Sequence, residues 1–130
     1  MSEDVWTWIV AGWQVATAIG FGGFWFAWFR RPHVEPWLPA GYVEHERVFV
    51  FPDSILALTL VVSALLLIAG EPLGRSLALV AAGMLVFLGV IDLAYFAQHG
   101  MFAREREGIG NLGIVVALLT LAVVLVARYA

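Results

Sequence analysis

Cysteine is absent from the 130 residues, which excludes disulfides, thiolate metal sites and cysteine nucleophiles. Lysine is absent as well, so all seven basic residues are arginine. Charge of either sign is scarce: 13% of residues carry it, against about 25% in soluble domains. The net charge of −3 comes with no basic tail, and nucleic acid is excluded as a partner. The opening "MSEDVWTW" holds Glu3 and Asp4 but no basic residue. A cleavable secretory signal begins with the opposite charge, so the first apolar segment is expected to be retained.

What the chain has instead is hydrocarbon. Hydrophobic residues make up 62% of it, where soluble domains run at about 45–50%. They fall into four blocks, about 5–29, 54–70, 76–97 and 109–127, each near the roughly 17–25 residues a spanning helix needs. None alternates with period two, so strands are not expected. Helices also satisfy their backbone groups internally in lipid, as an open sheet could not. The expected fold is an all-α, four-transmembrane-helix antiparallel bundle, one domain across residues 1–130.

Turn chemistry sets the connections. "GEPLGR" (70–75) closes spans two and three into a hairpin, and 98–108 is a short charged link. Residues 30–53 form the one long connection, expected to lie along the membrane surface. Arg30, Arg31, Arg47, Arg104 and Arg106 flank one side of the membrane, against Arg75 and Arg128 on the other. By the positive-inside rule the 30–53 and 98–108 links are cytoplasmic and both termini face out. The compartment expected is the cell (inner) membrane, crossed several times. Trp6, Trp8, Trp25, Trp28 and Trp37 cluster near span ends, as an interfacial aromatic belt does. Pro52 and Asp53 suit a helix start, since proline is tolerated in a first turn and an acid there complements the helix dipole.

One residue does not fit a plain hydrocarbon span. Asp92 lies seven residues before His99, about 10 Å into span three. An Asp near a helix centre costs about 2.5–3.5 kcal/mol on insertion scales, so it must find a partner or a purpose. Helical spacing puts Tyr95 and His99 on its face. Arg47 and Asn111 belong to the same membrane side, and together these five residues form a candidate polar binding cluster. Gln14, deep in span one, also needs a hydrogen-bonding neighbour on another helix. The small residues Gly12, Ala16 and Gly20, four apart, and Gly89 beside Asp92 suit close helix packing.

The histidines His33, His45 and His99, with Glu44 and Glu46, are candidate metal ligands by chemistry. Their spacing matches no compact ligand pattern, so no metal or other cofactor is expected. Ser54, Ser63 and Ser76 lack a nucleophile context, and "GIGNLG" (108–113) lacks the strand and lysine of a phosphate loop.

Three classes of function fit these residues. The first is a noncatalytic accessory or scaffold protein that packs against itself or a membrane partner. The second binds or transports a lipid-like or small molecule at the cluster around Asp92. The third is a membrane-embedded metalloprotein or enzyme built on the histidines. Membrane lipid is the one partner common to all three.

Overall fold

A computed structural model describes residues 3–130, with side chains from Val5 onward. The side chains of Glu3 and Asp4, on which the expected retention of the first segment rests, lie outside the described residues. Helix makes up 83% of the described residues, no strand occurs among them, and the fold class is the all-α four-helix bundle expected. In chain order the elements are α1 (Glu3–Arg30), α2 (Tyr42–Val48), α3 (Val50–Ile68), α4 (Pro72–Gln98), a 3₁₀ turn (Arg104–Arg106) and α5 (Gly108–Tyr129). Among the described residues four stretches are long and apolar enough to cross a membrane: Val5–Arg30, Tyr42–Ile68, Pro72–Gln98 and Gly108–Tyr129.

Several helix boundaries have a local cause. Pro32 disfavours helical backbone at Arg31, which ends α1 at Arg30. Pro52 has no N–H to offer the carbonyl of Val48, and there α2 gives way to α3 through the single residue Phe49. The long connection is therefore shorter than its polarity suggests, because the "EHER" run is itself helical, within α2. After α3, Gly70 takes φ 76°, Glu71 N–H reaches Leu66 O at 2.9 Å, and Gly70 N–H reaches Leu67 O at 3.1 Å. That pair of bonds is a Schellman cap, and Pro72 then opens α4, where a missing N–H costs nothing. The same cap ends α4, with Gly100 at φ 66° and Met101 N–H on Phe96 O at 2.7 Å.

The chain divides into two compact units, a first that ends at Ala78 and a second, Leu79–Ala130. In the first, α1 and α3 run antiparallel along a shared seam. Ala11, Gln14, Ala18, Trp25 and Trp28 are buried on α1, and Asp53, Leu56, Leu60 and Ser63 on α3. These positions step by three and four residues, the repeat that keeps one face of a helix against its neighbour. Gly74, in the first turn of α4, lies against the end of α3, and a Cβ there would stand 2.6 Å from Leu67 N.

In the second unit the buried residues of α5, Val115, Leu118, Ala122, Leu125 and Tyr129, follow the same steps. Gly89 of α4 faces α5, where a Cβ would come 2.7 Å from Leu119 Cδ2. On α1, by contrast, Gly12, Ala16 and Gly20 are exposed, and a Cβ at either glycine meets nothing within 4 Å. They take no part in the α1–α3 seam. Large apolar side chains also point outward, among them Ile19 (69% exposed), Phe26 (66%) and Ile109 (70%), as lipid-facing positions require.

Candidate functional site

The polar chemistry of the first unit gathers where α1 ends and α2 runs into α3. Trp25 Nε1 donates to Asp53 Oδ2 at 2.9 Å, and both side chains are buried. One turn on, Trp28 Nε1 donates to the Tyr42 hydroxyl at 3.2 Å. The chain after Pro32 folds back so that His33 Nε2 lies 2.9 Å from Trp28 O. A carbonyl can only accept, so Nε2 donates and satisfies one of the four orphan carbonyls at the end of α1. The rings stack around these bonds: Trp25 and Trp28 meet edge to face at 5.3 Å, and His33 lies 4.3 Å from Trp28 at 30°. Tyr42, Glu46 and Asp53 are all buried on the inward stripe of α2 and α3.

This cluster departs from the expectation that the 30–53 connection lies along the membrane surface, since Tyr42, Glu46 and Asp53 are buried. Asp53 is in the first turn of α3, as expected, but its carboxylate takes a proton donor from another helix instead of facing water. Trp25 and Trp28 turn inward rather than lining a lipid interface. A usable signal was present in the sequence. Stepping by sevens from Gln14, the most polar residue deep in span one, leads to Phe21 and Trp28, with Trp25 on the same seam. From Ser63 backward, helical steps of three, four and seven pass Leu60, Leu56, Asp53, Glu46 and Tyr42.

Farther along the pair, Gln14 Nε2 donates to Ser63 Oγ at 3.0 Å, and Ser63 Oγ donates to Gly74 O at 2.8 Å. Gln14 thus finds its partner on a neighbouring helix. Ser63 is tied up as both donor and acceptor, and among the described residues no base is hydrogen-bonded to it. Among the described residues Gln14 Oε1 has no hydrogen-bond partner.

In the second unit, Asp92 is half-buried on α4, Tyr95 is half-buried and His99 is exposed. The rings of Tyr95 and His99 lie 4.4 Å apart. Asn111 serves the 98–108 link: its Nδ2 donates to Met101 O at 2.7 Å and to Arg106 O at 3.4 Å. Arg106 Nη1 reaches His99 O at 3.3 Å. Of the five residues in the expected cluster, Asp92, Tyr95 and His99 share one helix face and Asn111 braces the link. Arg47 lies exposed on α2, in the first unit.

The candidate metal ligands do not gather into a group of three among the described residues. His33 and Glu44 border a shallow cleft of about 280 Å³ with Glu35 and Tyr42. His45 stacks on Phe49 at 5.3 Å, and Glu46 is buried in the α2 stripe. Among the described residues no three histidines or carboxylates come together as a metal site would need. No protein-family model matches the chain, and neither a curated protein nor a solved structure is detectably similar to it.

Proposed function

We propose that this chain is a noncatalytic accessory or scaffold protein of the membrane. The observation that carries the reading is where the buried polar side chains of the first unit direct their bonds. Gln14 bonds Ser63, Ser63 bonds Gly74 O, and Trp25 bonds Asp53. Each of these bonds joins one helix to another, which fixes register and engages the Ser63 hydroxyl as both donor and acceptor. In lipid such bonds hold helices together where hydrophobic burial gives no drive for association.

A second reading rests on Asp92, Tyr95 and His99. An ionisable residue inside a span is by default a functional hypothesis, and this one shares a helix face with the Tyr95 and His99 rings, which touch at a tilt. Binding or transport of a small molecule there competes with the scaffold reading. Native mass spectrometry from lipid nanodiscs separates the two. The scaffold reading expects subunits, single or associated, that carry no small molecule other than lipid. It also expects Asp92→Asn, which keeps the shape and one acceptor, to leave folding and association unchanged. A reproducible non-lipid mass that disappears in Asp92→Asn would establish the second reading instead.

We also propose that the five-arginine side is cytoplasmic, with both termini outside and the cell (inner) membrane as the compartment. The cysteine-free sequence suits the test. Glu71→Cys should react with a membrane-impermeant maleimide in intact cells, and Pro36→Cys only after permeabilisation. The reverse pattern would invert the topology.

A further inference from the structure

Arg30 is the last residue of the first membrane-length stretch. Side chains on a helix lean toward its N-terminus. An arginine at the C-terminal end of a span therefore leans back along the helix, into the membrane, instead of outward to water. Here it does so: the Arg30 guanidinium carbon lies 5.0 Å from the centroid of the Phe26 ring, one turn earlier. That ring is itself on the lipid side, with Phe26 66% and Phe29 55% exposed. The cation is thus held on the outer flank of α1, a turn inside the end of the helix.

A ring face offsets part of the cost of removing a guanidinium from water, but it supplies no acceptor for the five N–H groups. Among the described residues no carboxylate or carbonyl pairs with Arg30. Glu35 and Glu44, in the same unit, border the cleft beside His33 and Tyr42, and Asp53 accepts from Trp25. At the end of a span, on a lipid-facing flank, the phosphate oxygens of the surrounding leaflet are the charged acceptors that compete with water for this cation. The planar fork of arginine matches a phosphate bidentately.

We infer that Arg30, presented by Phe26, binds the phosphate of a phospholipid of that leaflet. This site is separate from the scaffold reading and does not depend on it. Phe26 acts as a positioning residue, and Arg30 makes the contact.

Delipidated protein in a neutral detergent, titrated with phosphatidylglycerol or phosphatidylcholine, tests the assignment when bound lipid is counted by native mass spectrometry. Both lipids carry the phosphodiester, so both should bind the native chain. Arg30→Ala should weaken the first binding event about tenfold, the scale of one lost charge-assisted, bidentate contact. Arg30→Lys should recover only part of it, and Phe26→Leu should weaken it severalfold with Arg30 still present. Arg104→Ala, in the other link, should leave it unchanged. If Arg30→Ala loses helix content, Arg30→Gln removes the charge with less change in size and is read in its place. Equal lipid retention in the native and Arg30-substituted chains overturns the site. Displacement of the lipid by excess inorganic phosphate overturns the leaflet as its source.

Discussion

Alanine at Gly108 is expected to destabilise the protein by about 3 kcal/mol or more, among the largest effects of a single methyl group. Gly108 opens α5 and is buried. A Cβ there would run into the carbonyl of Phe102 and come within 2.5 Å of Ala103 O. Both obstacles are backbone, so neither can rotate away as a side chain could. The backbone is also fixed from several directions. Gly108 N–H bonds Ala103 O at 3.0 Å, Asn111 holds Met101 O, and Glu107 just before it takes φ 62°. Relief requires the 98–108 link to lift from the start of α5, which breaks these bonds together. Unfolding in detergent micelles, followed by helix content, measures the loss. Gly110→Ala is the control, since a Cβ there meets nothing within 4 Å and alanine favours helix by up to about 1 kcal/mol. Equal stability of the two variants would mean that the link does not close over Gly108.

Trp25→Ala is expected to cost about 3–5 kcal/mol, the range for deleting a large buried aromatic. Trp25 is 7% exposed and packs edge-on against both Phe24 and Trp28. Part of the loss is the cavity and part is the hydrogen bond to Asp53. Trp25→Phe separates them, because it keeps most of the ring and removes the N–H. It leaves the Asp53 carboxyl buried without that donor, at a cost of about 1–3 kcal/mol. Asp53→Leu in the Trp25→Phe background should then cost less than Asp53→Leu in the native chain. This non-additivity is the mark of two residues in contact. Strict additivity would show that the bond contributes nothing to the α1–α3 pair.

The four spans were legible because a membrane demands long apolar stretches and little else, and hydropathy reports that demand directly. Their ends were less so. Hydropathy ends where the hydrocarbon ends, whereas a helix continues until its backbone bonds fail. The expected 54–70 thus becomes Val50–Ile68, preceded by α2, and 76–97 becomes Pro72–Gln98. The charged "EHER" run reads as rim by composition, yet its backbone is helical and Glu46 faces inward. The need of Gln14 for a partner was legible from its polarity. That the partner is Ser63, 49 residues away, depends on the register of two helices, which no local pattern encodes. The same holds for Trp25 and Asp53. A tryptophan near a span end fits a lipid interface and an interhelical donor equally well, and only the shared seam distinguishes them.

The Gln14–Ser63–Gly74 chain of bonds also bears on how the protein is made. When the ribosome has produced α1, the amide of Gln14 is already synthesised, but the hydroxyl it will meet is not. An unmet amide in hydrocarbon is costly, so α1 alone is a reluctant occupant of the bilayer. The first helix thus stands to gain by waiting beside the insertion machinery until α3 arrives and the two can leave as a pair. Gly74, only eleven residues beyond Ser63, supplies the last acceptor as the hairpin turns. The last bond of the chain can form only once the opening turn of α4 has been synthesised.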